Sequence, residues 1–241
     1  MEEIQIKESK IVDSATGVFM KYGIKSVNMD DMARHLGMSK KTLYLYAKDK
    51  EDLVRKSVAC FCTKEDNEIR EICHMGLNAI DESLEIMKWV LSVLQNVPPS
   101  VNYDLEKYHP EVARAMKENR HRAIYDCMRL NLKKGQREGL YRKDFNADVI
   151  AKVYISRIDI IFDQELFPMS EHNLGDLYRE IFKYHIRGIA SNEGLEYLKE
   201  KMKNVKYLPV QNHSNYEINI KILCAHLLDG GVESRRVSSI G

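Results

Sequence analysis

Between Ser39 and Lys50 the chain reads Ser-Lys-Lys-Thr-Leu-Tyr-Leu-Tyr-Ala-Lys-Asp-Lys, so ammonium and hydroxyl groups are interleaved with a few apolar side chains. Wound as a helix, Lys40, Tyr44 and Lys48 fall at i, i+4 and i+8 with Lys41 beside them, while Leu43, Tyr46 and Ala47 share the opposite face. One face is cationic and hydrogen-bonding, and the other can pack. That is equipment for holding a polyanion. Lys40, Tyr44, Lys48 and Lys50 suit phosphate oxygens, and Lys41 and Thr42 have the reach for base edges in a groove. Lys50 would also sit in the first turn of a following helix, whose free amides attract anions. The whole sequence carries a net charge of only +1. From Arg34 to Lys50, however, five cationic side chains face Asp49 alone, a local excess of four positive charges. A run of lysines by itself serves equally well to solvate a surface, so the reading depends on the surrounding elements.

Those elements are legible. Ile11, Ala15, Val18, Phe19 and Tyr22 recur at helical spacing and stop at Gly23. Asn28 is placed to cap a second helix, with Asp31 in its first turn and Met29, Met32, Ala33 and Leu36 as its apolar stripe, ending at Gly37. Ser39 then caps a third, short helix expected over 40–47. Asp49 and Asp52 start a fourth, expected to run to about His74 on Leu53, Val54, Val58, Phe61, Ile69 and Ile72. Two short helices meeting at a glycine turn, the second beginning with small, polar and basic residues, have the layout of a helix-turn-helix. Further helices are expected at roughly 81–95, 101–107, 110–137, 147–167 and 174–190, with breaks at Pro98-Pro99, His109-Pro110, Gly135, Gly139, Pro168 and Gly175. From Tyr207 the periodicity fails, and 206–241 reads as an irregular tail. The expected class is all-α, divided as 1–49, 50–205 and the tail.

Competing chemistries find little support. At 44% hydrophobic and 30% charged the sequence is that of a folded globular protein. It has no apolar run approaching the roughly 20 residues of a membrane span, and Met1-Glu2-Glu3-Ile4 is acidic where a signal peptide would be basic. The cytoplasm is the expected compartment. Cys60, Cys62, Cys73, Cys127 and Cys224 are an odd number without repeated spacing and read as reduced thiols. On a helix, Cys60 and Cys62, or Cys73 and His74, point in different directions and cannot converge on one ion, so no metal site is expected. Neither Gly-x-Ser-x-Gly, a Gly-rich phosphate loop nor His-Glu-x-x-His is present, so neither catalysis nor a cofactor is expected.

Ala15-Thr16-Gly17-Val18-Phe19 with Gly23, then Met29-Asp30-Asp31-Met32-Ala33, Gly37-Met38-Ser39-Lys40-Lys41-Thr42-Leu43-Tyr44 and Lys50-Glu51-Asp52-Leu53 together resemble the signature of the TetR family of bacterial regulators. The specific match spans about residues 7–55. Weaker similarity continues in Tyr108-His109-Pro110-Glu111 and in 135–141. The resemblance implies a dimeric binder of double-stranded DNA, with contacts from Ser39, Lys41, Thr42, Tyr44, Tyr46 and Lys50. To these the residues themselves add Asn28, Lys40 and Lys48. Two positions depart from the family pattern: Ala47 stands where an aromatic is usual, and Lys41 where a small residue is usual. Operator preference therefore does not carry over from relatives.

The resemblance also implies a helical ligand-binding and dimerisation domain whose last two major helices form a four-helix interface. The helices expected over 147–167 and 174–190 supply Ile150, Val153, Tyr154, Ile158, Ile161 and Phe162 on one and Leu177, Ile181, Tyr184, His185 and Ile189 on the other, although ordinary core would look the same. For a cavity holding an unidentified small-molecule effector the candidates are Trp89, Tyr103, Tyr125, Met128 and Phe162, with Met87 behind them. Such residues are more often packed core than cavity wall. The expected function is a ligand-responsive repressor acting on a palindromic operator. The alternative is a DNA-binding protein of the same fold governed by a protein partner.

Overall fold

Side-chain caps fix where the short N-terminal helices begin. The protein is represented by a computed structural model that describes residues 2–168 and 170–204. The expected tail over 206–241, with Cys224, lies outside the described residues. Helix α1 (Glu2–Tyr22) ends at Gly23, whose φ of +85° is left-handed and favours glycine. Asn28 caps α2 (Met29–His35): its Oδ1 accepts the backbone N–H groups of Asp30 and Asp31, and Asp31 reaches back to the Asn28 N–H. Ser39 Oγ accepts the Thr42 N–H to start α3 (Lys40–Leu43), and Asp49 accepts the Asp52 N–H to start α4 (Lys50–His74). Five longer helices and a terminal one follow: α5 (Ala79–Asn96), α6 (Pro99–Tyr108), α7 (Pro110–Glu138), α8 (Ala147–Ile160), α9 (Leu174–Ile189) and α10 (Asn192–Asn204). No strand forms among the described residues, which show one isolated bridge between Tyr141 and Ala190.

Two helix ends differ by several residues from those read off the sequence, and one helix is additional. The expected third helix over 40–47 keeps α geometry only to Leu43. Beyond it the Leu45 and Tyr46 N–H groups bond three residues back, tightening the turn, so Lys48 leaves the register that would have aligned it with Lys40 and Tyr44. The expected helix over 147–167 stops at Ile160 because Asp163 starts a turn of its own, its carboxylate accepting the Glu165 and Leu166 N–H groups. Helix α10 was not anticipated. Ser191 caps it by accepting the Gly194 N–H, and a Cβ at Gly194 would lie 2.1 Å from the Leu140 carbonyl oxygen, so only glycine fits there.

Two hydrophobic clusters organise these helices. The first gathers Ala15, Phe19 and Ile24 with Met32, Leu43, Leu53 and Val54, and is completed by Val101, Leu105 and Val112 from α6 and α7. Packing therefore does not break at residue 49; it passes from α1–α3 through α4 into the body. The Lys25 N–H donates to Asp104 at 2.7 Å, and His109 meets Glu51, fastening the α6–α7 junction to the same end. The second cluster joins Ile80, Leu91, Leu132, Tyr141, Ala151, Tyr178, Phe182 and Ile186 from α5, α7, α8 and α9. Helix α4 runs between the two. Thr16 hydrogen-bonds the Ser57 carbonyl on its first half, and Cys127 of α7 meets Cys73 at its end.

Candidate nucleic-acid interface and interior cavity

The reading segment is held from below and left open above. Leu43 and Ala47 are buried, and Tyr46 packs half-buried beside them, as their shared face demands. Lys56 of α4 donates to the Tyr46 carbonyl at 2.6 Å and to Glu8 of α1 at 2.7 Å, clamping the end of the segment. The Glu8 contact raises the Lys56 ammonium pKa, keeping the clamp charged. On the open side, Lys41, Tyr44 and Lys48 are exposed, and their side-chain polar groups have no hydrogen-bond partner among the described residues.

The other residues expected to touch DNA are engaged within the chain. Asn28 spends its carbonyl oxygen on capping α2, Ser39 its hydroxyl on capping α3, and the Thr42 hydroxyl lies 2.8 Å from that of Ser39. Lys40 pairs with Asp30 at 2.9 Å, an exposed contact that also raises its pKa. Lys50 turns back to the Lys25 carbonyl at 3.4 Å, and partial burial lowers its pKa. Sequence reasoning passed over Leu45, which is 75% exposed on the same segment. An apolar side chain there offers contact with a thymine methyl, and its sequence signal was a leucine on the polar side of a stripe.

Behind this end, α4, α5, α6, α7, α8 and α9 surround a cavity of about 220 Å³. A single water needs roughly 10–15 Å³ measured in that way, so the void is many times larger than one solvent molecule requires. Trp89, Met128 and Phe162 line it. Tyr103 does not: it stands exposed on the outer side of α6, its hydroxyl accepting from Lys107 at 2.8 Å. Tyr125 packs against the second cluster, with the Arg129 guanidinium 5.9 Å above its ring, and also lies outside the cavity wall. Both are single steps away from lining residues, Asn102 and Ile124, and an error of one residue rotates a side chain by about 100°.

The wall is mainly apolar, with a few polar groups the sequence did not single out. Glu65 of α4 has its carboxyl pushed up to about 7 by burial, partly offset by Arg120. The Arg120 Nε is buried without a partner among the described residues, and its guanidinium stacks 5.2 Å over Phe162. His185 is buried against the Tyr154 ring at 4.5 Å. Desolvation, with Arg157 nearby, pushes its imidazole down to about 4, so it is neutral, and its Nε2 has no partner among the described residues. The Tyr154 and Tyr178 hydroxyls lie 3.4 Å apart at the same wall. A signal for Glu65 existed: Phe61, Glu65 and Ile69 stand at i, i+4 and i+8, placing a carboxyl in an apolar stripe.

On the far side of the body, α8 and α9 bury Ala151, Tyr154, Ile158, Tyr178, Phe182 and Ile186 inward. Outward they leave Val149, Val153, Ile160 and Tyr184 exposed, Tyr184 by 68%. Among the described residues, no helix is long and apolar enough to cross a membrane, and no three His, Cys, Asp or Glu side chains are grouped to hold a metal ion.

A helix-turn-helix carried on an all-helical body defines a DNA-binding transcription regulator. Comparison with known proteins narrows the class. Residues 11–56 match the family model described as bacterial regulatory proteins, tetR family. Over 177 residues, 70% of this chain and 88% of the relative, the sequence is 25% identical to an uncharacterized HTH-type transcriptional regulator, YvaF, of Bacillus subtilis (strain 168). Among solved structures, a transcriptional regulator from Cytophaga hutchinsonii ATCC 33406 superposes with a TM-score of 0.64 at 19% identity, covering 77% of this chain and 99% of that one. A proposed transcriptional regulator from Saccharomonospora viridis in complex with choline superposes with a TM-score of 0.57 at 17% identity, covering 78% of this chain and all (100%) of the other. The chain is thus similar in sequence, over residues 11–56, to bacterial regulatory proteins of the tetR family, and its all-helical fold is that of such regulators.

Proposed function

We propose that this regulator is a ligand-responsive repressor that binds a palindromic operator in the cytoplasm as a homodimer, acting by binding and not by catalysis. In this reading residues 1–49 form the DNA-binding domain and 50–205 the effector and dimerisation domain. Lys41 and Thr42 address base edges with Leu45 beside them, and Tyr44 and Lys48 hold phosphates, supported by Asn28, Ser39, Lys40, Tyr46 and Lys50. Two copies joined through the exposed apolar faces of α8 and α9 would set the recognition segments one helical turn of DNA apart, roughly 34–36 Å.

The observation that carries ligand response is the apolar cavity of about 220 Å³ beside α4. It favours an effector over the partner-protein alternative, because a body serving only as a docking surface gains nothing from an unfilled core. Glu65 and part of the cavity wall lie on α4, the helix that starts under the reading segment, so a molecule preferring one tilt of α4 shifts the population of DNA-competent dimers by its difference in affinity for the two states. The choline complex of the S. viridis protein illustrates a ligand held by this fold.

Trp89 is the only tryptophan in the chain and it lines the cavity, so its fluorescence reports occupancy directly. A panel of small apolar compounds is screened for a change in that emission, and positives are added to preformed protein–DNA complexes. Release of DNA by compounds that alter Trp89 emission supports the reading. Emission changes that never affect DNA binding favour partner control.

A further inference from the structure

Cys73 sits in the last turn of α4, and Cys127 lies in α7, facing the cavity. Their sulfurs are 4.0 Å apart. No other two thiols meet in this way among the described residues: Cys60 lies 3.9 Å from the Asp13 carboxylate, and Cys62 is turned into the cavity, where burial pushes its thiol up to about 11. A disulfide requires a sulfur separation of about 2.05 Å, so side-chain rotation and a small shift of one helix separate the two thiols from a bond. The two are not equivalent. The hydrogen bond from the Cys127 thiol, helped by Lys134, holds Cys73 below the ordinary thiol range. That same contact, together with burial, pushes Cys127 up. One thiol is poised to attack an oxidant as its thiolate, and the other is kept protonated beside it.

We propose that Cys73 and Cys127 form an oxidisable pair whose disulfide, generated by a hydroperoxide, ties the end of α4 to α7. The Cys73 thiolate attacks one peroxide oxygen and the O–O bond breaks, leaving a sulfenic acid on Cys73 and releasing hydroxide, or the corresponding alkoxide, which takes up the proton Cys73 had lost. The Cys127 sulfur then attacks the sulfenic sulfur. The S–S bond forms, the S–O bond breaks, and the Cys127 proton leaves with that oxygen as water. Two electrons pass from the thiol pair to the peroxide, and a small dithiol reverses the step by exchange. Because α4 begins at the cap that follows the reading segment, fixing its other end against α7 restricts the tilt through which the two ends of the molecule communicate.

The full chain, fully reduced, is treated with hydrogen peroxide, alkylated and digested, alongside Cys73→Ser, Cys127→Ser and Cys60→Ser. A peptide linking Cys73 to Cys127 is expected in wild type and Cys60→Ser, removed by dithiothreitol and missing from the other two. Cys127→Ser should stop at a sulfenic acid on Cys73 that dimedone traps. Amide hydrogen exchange across α4 should slow several-fold on oxidation of wild type and stay unchanged in Cys73→Ser. Absence of the link in wild type, a link through Cys60 or Cys62, or a link that leaves α4 exchange unaltered each overturns the proposal.

Discussion

Beneath the reading segment the core is filled: Ala15, Met32, Leu43, Leu53 and Val54 expose no surface. Around the later part of α4, Trp89, Met128 and Phe162 from neighbouring segments are only partly buried and border a void of about 220 Å³. The same helix runs through both regions. A close-packed core resists deformation and presents the α2–α3 surface as one rigid shape, whereas a body with missing contacts has alternatives of similar energy. The contrast teaches where a conformational equilibrium belongs in this molecule: in the body, with the DNA-reading end carried as a unit.

The largest effect separating the two regions should come from truncating one side chain in each. Leu53→Ala opens a hole in the filled core and should cost about 2–5 kcal/mol, whereas Met128→Ala enlarges an existing void and should cost less than about 1.5 kcal/mol. Urea unfolding of the two variants measures both, and equal losses would erase the distinction. Next, Val153→Glu with Tyr184→Glu charges the outer α8–α9 face without touching either core. We expect the dimer to weaken by about 30-fold or more by sedimentation, on the scale of an interface hot spot, with the melting of each subunit little changed. An unaltered dimer would place the interface elsewhere.

The smallest effect concerns pH. Burial, partly offset by Arg120, holds the Glu65 carboxyl at about 7, while an unfolded glutamate titrates near ~4.3. Between those values the folded chain retains a proton that the unfolded chain has lost. The contribution of Glu65 is therefore fully present below about pH 4 and is lost as pH rises through about 7. Melting temperature followed from pH 5 to 8 should fall more for wild type than for Glu65→Gln. Parallel curves would mean that the carboxyl is solvated, and the polar wall of the cavity would lose its buried acid.

The DNA-reading end was legible because its determinants are local. Asn28, Ser39 and Asp49 each cap the helix that follows within three residues, and Gly23 and Gly37 adopt the positive φ that a stop requires. The short third helix was overextended because its final turn is tightened by packing of Leu43 and Ala47 and by the Lys56 clamp, neither of which is local. The cavity was half legible. Periodicity selected apolar faces, but whether a residue lines a void or fills one depends on helices distant in sequence: Met128 lines it, and Tyr125, three residues earlier, packs outside. Asp104 bonding the Lys25 N–H, seventy-nine residues away, and Cys73 meeting Cys127 left no trace in spacing. Helix α10 did leave one, since Ser191 followed by Leu195 and Leu198 is a cap and a stripe.

The most direct test of the account is selection of genomic fragments by the purified chain, followed by affinity against salt for wild type and for Lys41→Ala with Tyr44→Ala. We predict palindromic fragments and a linear fall of log affinity with log salt. The double variant should lose about 10- to 100-fold in affinity, with a slope shallower by about one, while its melting is unchanged. No enrichment of fragments, or binding indifferent to those two substitutions, would contradict the assignment of DNA recognition to this segment.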